Sequence, residues 1–133
     1  MQLHVSTDYA IRILQYLHIH RKELPTAMTI SQSIHVTYSF FIKIANQLKQ
    51  EGLLDAVRGR NGGYRLARPA SEISLHDVIL AMEGKLQINR CLQDDEFCSR
   101  KTTKTCPVRK CLLSVQDGLI ETLSQKSIAD FAQ

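Results

Sequence analysis

Four cysteines are the residues of this chain best suited to chemistry. Cys91, Cys98, Cys106 and Cys111 are its only cysteines, and they fall in one stretch with gaps of six, seven and four residues. Soft thiolates on a mouldable loop can hold zinc or an iron–sulfur cluster, or form disulfides under oxidant. Structural zinc favours cysteine pairs with about two to four residues between them, and only Cys106 and Cys111 approach that spacing. An iron–sulfur cluster is less tied to such short gaps. Six cations against three acids lie between Arg90 and Cys111, and positive surroundings favour the thiolate. That argument serves a metal-free thiol switch as well as a cluster. The five histidines (His4, His18, His20, His35 and His76) all lie outside this stretch and carry no ligand signal.

Little else in the chain can do covalent work. There are no paired catalytic carboxylates, no nucleophile–base constellation and no phosphate-cradling P-loop; Gly62-Gly63 reads as a hairpin device. The reading is therefore not an enzyme, and no small-molecule substrate is expected. The 133 residues fit one domain, with room for an appended helix. That length buries a core without disulfide staples. No apolar run approaches the ~18 residues of a membrane helix, and the N-terminus lacks a basic-then-apolar leader. A cytoplasmic protein without membrane contact is expected.

The charge is concentrated. The net +4 comes from 17 Lys and Arg against 13 Asp and Glu. Between Thr37 and Arg68 stand six cations (Lys43, Lys49, Arg58, Arg60, Arg65, Arg68) and two acids (Glu51, Asp55), so this window holds the whole excess. A basic segment in an otherwise neutral chain suits a polyanion-binding face.

The elements that must position these groups can be read from periodicity. Ser6 or Thr7 can cap a first helix, in which Ala10, Ile13, Leu14 and Leu17 follow the helical repeat. A loop through Pro25 precedes a short second helix over Thr29 to Ile34, with Thr29 as its cap. A tight connection through His35 and Val36 leads to a third helix from about Thr37, with Phe41, Ile44, Ala45 and Leu48 as its buried stripe. Gly52 suits the left-handed position that ends it. Leu53 to Val57 and Tyr64 to Leu66 then read as two strands around Arg58-Gly59-Arg60-Asn61-Gly62-Gly63, a basic hairpin tip. Ser74 caps a fourth helix that Gly84 ends. The cysteine stretch follows, and Pro107 opens a long last helix to about Leu123.

Helix, short helix, tight turn, helix and basic hairpin make a winged helix-turn-helix. The fold class is mainly α with a small β-hairpin, completed by a long C-terminal dimerisation helix. Residues 1–84 are expected to form the DNA-binding domain, 85–106 a cysteine-bearing sensor loop, and 107–133 the dimerisation helix and tail. The third helix has a polar face free to enter a major groove about 12 Å wide. Arg58 and Arg60 on the wing reach the neighbouring backbone or minor groove.

Several motifs sharpen this reading. Thr7-Asp8-Tyr9-Ala10 opens the first helix, and Gly52-Leu53-Leu54 runs into Val57-Arg58-Gly59-Arg60-Asn61-Gly62-Gly63-Tyr64-Arg65-Leu66-Ala67-Arg68. Ile73-Ser74-Leu75, Val78-Ile79 and Met82-Glu83-Gly84 follow, then the cysteine cluster and the last helix. Together these resemble the Rrf2 family of bacterial transcriptional regulators over essentially the whole chain, the Gly-Gly-Tyr wing being the most specific part.

The resemblance implies a homodimer on double-stranded DNA with a palindromic operator. Recognition-helix contacts then fall on Thr37, Ser39, Phe40 and Lys43, and wing contacts on Arg58, Gly59 and Arg60. Ile42 replaces a Glu found in some iron–sulfur members, and Phe40 replaces a common Tyr, so the operator sequence is left open. Cluster-binding members use three cysteines in this loop, which implies Cys91, Cys98 and Cys106 as ligands of a 2Fe-2S or 4Fe-4S iron–sulfur cluster. The same resemblance offers Asp8 of the partner subunit as a fourth ligand, or a role for Asp8 in capping its own helix. Cys111, at a position usually apolar in the family, reads as a buried small hydrophobe, with a ligand or resolving thiol as its alternative. The sensed signal would be nitric oxide, redox or iron–sulfur status. A metal-free thiol-redox regulator and a winged-helix interaction module stand as alternatives.

Overall fold

The computed structural model describes residues 1–132. The chain folds as α1 (Val5–Ile19), α2 (Ala27–Ser33), α3 (Tyr38–Gln50), β1 (Leu54–Val57), β2 (Gly63–Leu66), α4 (Leu75–Glu83) and α5 (Pro107–Gln125). Short 3-10 turns occupy Ala70–Glu72, Arg90–Leu92 and Ile128–Phe131. This is the expected winged helix-turn-helix with a two-stranded antiparallel wing and a long last helix.

One core holds it together. Ala10, Ile13, Leu14 and Leu17 of α1 meet Phe41, Ile44, Ala45 and Leu48 of α3, with Leu53, Leu54, Ile73 and Val78 beneath the wing and α4. Each such aliphatic or aromatic side chain contributes roughly 1.5–3 kcal/mol by leaving water. Leu53 and Leu54 are both buried, so the turn and the first strand residue are pinned together.

The helix starts differ from expectation. Helix α1 begins two or three residues earlier, at Val5, and neither Ser6 nor Thr7 caps it. Thr7 is fully buried and its hydroxyl donates to Glu83 Oε2 at 2.6 Å, while the His4 backbone N–H donates to the same oxygen at 3.2 Å. A carboxylate from the end of α4 thus caps α1, which complements the positive end of the helix dipole. Helix α2 starts at Ala27, and its cap is Thr26, whose hydroxyl accepts from the Thr29 N–H at 3.2 Å. Thr29 lies inside the first turn, so its own hydroxyl cannot serve that end. Thr37 caps α3, accepting from the Phe40 N–H at 3.2 Å. Ser74 and Asp77 close α4 with a reciprocal capping box.

Two turns carry backbone strain or close approach. His35, between α2 and α3, sits at φ 58°, the left-handed region that L-residues enter at a cost. At Gly63, an added Cβ would overlap the carbonyl oxygens of Leu24 and Pro25. The next residue, Tyr64, donates its N–H to Pro25 O at 2.9 Å. The wing is therefore docked on the α1–α2 loop, and only glycine permits the contact.

Beyond α5 the chain returns to the core. Ile128 is fully buried, its N–H donates to Ile73 O at 2.8 Å, and Leu75 N–H donates to Lys126 O at 2.8 Å. Sequence reading gave no sign of this return. α5 meets the body through Arg109, Leu112, Gln116, Ile120 and Leu123, which share one helical face and are all shielded. Gln116 Oε1 accepts from the Ile88 N–H at 2.9 Å.

Candidate functional site

The first site is the face built from α3 and the wing. Burying Phe41, Ile44, Ala45 and Leu48 turns the opposite stripe outward, and that stripe is Ser39, Lys43, Asn46 and Gln50, all exposed. Thr37 is exposed at the start of the helix, though its hydroxyl is engaged as the cap. Phe40 points elsewhere: it is half-buried, its ring edge-on to Tyr9 with centroids 5.6 Å apart. Its flank is shared by Gln47, whose amide donates to Ala81 O and Met82 O at 3.1 and 3.2 Å. Phe40 and Gln47 thus tie α3 to α1 and α4.

On the wing, β1 pairs with β2 from Leu54↔Leu66 to Val57↔Gly63, leaving Arg58 to Gly62 as the tip. Arg58, Gly59 and Arg60 are all exposed. Gly59, at φ 112°, has open space around it. Gly62 and Gly63, by contrast, approach their own chain, Gly62 against the Val57 carbonyl. Tyr64 packs edge-on against Phe41 with centroids 5.2 Å apart, a structural role. Among the described residues Lys43, Lys49, Arg58, Arg60 and Arg65 form no ion pair; Arg68 alone of the basic window is engaged, 3.3 Å from Asp77. The positive field of this face is therefore left open to solvent.

The second site is the cysteine loop. Cys91, Cys98 and Cys106 are half-buried and line one open hollow of about 270 Å³ together with Phe97, Arg100 and Arg109. Cys111 does not line it. That residue is exposed, which corrects the expectation of a buried small hydrophobe. It lies on the outer face of α5, in an apolar stripe with Val108, Val115 and Leu119, next to the face that meets the body.

Within the loop, every acid is engaged: Asp94 by Lys85 at 2.9 Å, Asp95 by Arg90 at 2.6 Å, and Glu96 by Arg109 at 3.3 Å. Arg100, Lys101 and Lys104 of the loop and Lys110 of α5 stay unpaired among the described residues, so the positive excess of this stretch is carried by free side chains. Backbone N–H groups of Thr102, Arg100 and Lys101 and the Thr102 hydroxyl surround Cys98 Sγ, lowering its pKa to about 7. Asn89 Nδ2 donates to Cys91 Sγ at 3.2 Å. Arg109 Nε donates to the Cys91 carbonyl at 3.1 Å, joining the loop to the first turn of α5.

The donor set fits an iron–sulfur cluster in kind, with three soft thiols around one hollow and N–H donors and cations close by. Among the described residues, however, no three of His, Cys, Asp and Glu stand in an arrangement able to hold a metal ion. Asp8 lies on α1 away from the hollow and accepts from Arg12 Nη2 at 2.7 Å, a pair one helical turn apart rather than a cap.

Residues 3–133 match the Rrf2 family, described as iron-dependent transcriptional regulators. The chain belongs to the Rrf2 family. It is 33% identical over 133 residues to Protein aau3 of Rhizobium meliloti (strain 1021), covering 100% of this chain and 86% of that protein. CymR, the global cysteine regulator of B. subtilis, has a similar structure with a TM-score of 0.83 at 21% identity, covering 99% of this chain and 96% of CymR. T. potens IscR gives 0.76 at 21% identity, covering 98% and 85%. At that identity both likenesses speak for the fold. This Rrf2 protein is a DNA-binding transcriptional regulator and not an enzyme. None of its helices is long and apolar enough to cross a membrane among the described residues.

Tyr38, Asn46 and Lys49 line the groove between α3 and the wing. Lys49 was already one of the six cations of the basic window, and the signal for Asn46 was present, since it falls on the helix side away from the buried stripe. Tyr38 needed the position of the wing.

Proposed function

We propose that this Rrf2 protein binds a palindromic operator as a homodimer, its DNA contacts controlled by the thiols of the 85–106 loop. Thr37, Ser39 and Lys43 meet the major groove from α3, and Arg58, Gly59 and Arg60 meet the adjacent backbone from the wing. Phe40 contributes the part of its ring that Tyr9 leaves uncovered. The apolar stripe of Val108, Cys111, Val115 and Leu119 supports a second copy packing along α5, within a cytoplasmic dimer. Residues 1–84, 85–106 and 107–133 then serve as reader, sensor and dimer element.

The observation that carries the sensing role is the common hollow lined by Cys91, Cys98 and Cys106. These three would hold a 2Fe-2S or 4Fe-4S cluster, with Asp8 of the partner subunit as the fourth ligand. Bound there, the cluster would supply a centre responsive to redox state, nitric oxide or iron–sulfur supply. This chain's own residues transmit the change. Arg109 links Cys91 and Glu96 to α5, and Gln116 links α5 to Ile88. Movement of the loop thereby shifts α5, and with it the spacing of two recognition helices that an operator fixes at about 34 Å.

A metal-free thiol switch is the second reading. It is favoured by the ring of N–H donors and unpaired cations about Cys98, which suits a reactive thiolate. Iron and sulfide analysis of anaerobically prepared protein separates the two. A brown protein that loses its colour and its operator binding together on nitric oxide exposure supports the cluster. A colourless protein without iron after anaerobic reconstitution, whose free-thiol count falls with peroxide, supports the switch.

A further inference from the structure

Glu83, which caps α1, also lines a hollow of about 480 Å³, a size within the roughly 300–1,000 Å³ of small-molecule sites. Gly84 ends α4 at φ 82°, and residues 85–88 then pass beside α5 and border the hollow. Leu3, Ile79, Leu86, Ile88, Leu119 and Leu123 give it apolar walls. Both ends of the bordering segment are tied. Lys85 Nζ donates to the two Asp94 carboxylate oxygens at 3.0 and 2.9 Å, and the Ile88 N–H donates to Gln116 Oε1 at 2.9 Å. One polar group of the lining is only half used. The Glu83 side chain is 17% exposed, and its Oε2 accepts from the Thr7 hydroxyl and the His4 N–H. Its Oε1 accepts no hydrogen bond among the described residues and has only His4 Nε2 at 3.8 Å. A shielded carboxylate oxygen without a donor, on the edge of an apolar hollow, is a group that a ligand can satisfy.

We infer that this hollow binds a small apolar molecule whose one polar group is a neutral hydroxyl, donating to Glu83 Oε1. Charge decides the class of head group. A carboxylate would face the Glu83 carboxylate across apolar walls, where like charges repel strongly and neither is well solvated. An ammonium would gain Glu83 but meet the positive end of α1 and the Lys85 ammonium. A hydroxyl donates one hydrogen bond and brings no charge to desolvate. The rest of the molecule, seated on the leucine and isoleucine walls, supplies the affinity by leaving water. Such a ligand touches the start of the chain, α4 and α5 at once, so it bears on the joint between the winged domain and the last helix. The hollow shares no lining residue with the cysteine hollow or with the groove between α3 and the wing.

The test titrates the full-length protein with 1-octanol, octanoate and octylammonium, three heads on one chain, and follows binding by calorimetry. 1-Octanol should bind saturably, octylammonium no more tightly, and octanoate about tenfold more weakly or worse. Leu86→Trp fills the hollow and should abolish 1-octanol binding. Glu83→Gln keeps an oxygen for Thr7 and His4 but removes the charge, so octanoate should come within about threefold of 1-octanol. Circular dichroism melting checks that both variants fold, and if either does not, the order of the three heads in the wild type decides alone. Equal binding of all three heads by the wild type, no saturable binding of 1-octanol, or unchanged binding in folded Leu86→Trp would overturn the inference. So would binding seen only when Val115→Glu separates two α5 stripes, because Leu119 belongs to both features and a second copy would then be the occupant.

Discussion

Asn46 stands on the outward stripe of α3 between Lys43 and Gln50, with its carboxamide free. A carboxamide offers a donor and an acceptor side by side, the pattern that matches the N6 and N7 edge of adenine in the major groove. Asn46→Ala is therefore expected to erase one adenine preference from the motif recovered by selection on random duplexes, leaving the other positions as they were. An unchanged motif would assign Asn46 to solvent. Cys98 makes a second residue-scale case. With its pKa lowered to about 7 from the usual 9.0, its thiolate is half populated near neutrality in metal-free protein. Alkylation of Cys98, followed by peptide mass analysis, should rise with its midpoint near pH 7.

At the scale of elements, the wing and the helix caps show what a sequence can and cannot disclose. The wing was legible because glycine, asparagine and arginine alternate with apolar pairs in a short span, and both strands lie where that pattern puts them. The cap of α1 was not, because Glu83 comes from 76 residues beyond Thr7 and no local pattern joins them. The burial of Ile128 has the same cause: four residues at the end of the chain carry no periodicity, and only Ile73 and Leu75 explain their place. The α5 faces fail for another reason. Two adjacent apolar stripes look alike in sequence, and only packing tells which one the body covers. Gly63→Ala tests the wing docking directly. The added methyl must displace the Leu24 and Pro25 carbonyls, at a cost of about 1–3 kcal/mol. Thermal melting should show a fall of several degrees, whereas Gly59→Ala, with free space but a positive φ, should cost less than Gly63→Ala.

For the molecule as a whole, the outer stripe of α5 is a regular apolar feature that the fold leaves uncovered among the described residues. Val108 is 62% and Val115 53% exposed, which is costly for a stable isolated chain. Val115→Glu should shift the protein in sedimentation from twice the 15.1 kDa chain mass towards that mass itself. The same change should weaken operator binding steeply, since two half-sites no longer act together. A chain that sediments at 15.1 kDa without the substitution would remove the dimer from the reading.

The buried Ile128 has one more consequence, for how the molecule comes apart. A protease that nicks the irregular stretch between residues 93 and 105 leaves two pieces, the smaller ending in the segment whose Ile128 sits in the common core. Cutting the covalent link does not extract that side chain, nor undo the Ile73 and Lys126 backbone bonds beside it. The pieces should migrate together on a sizing column and separate only in denaturant. Severed, the reader and its long helix would still travel as one particle.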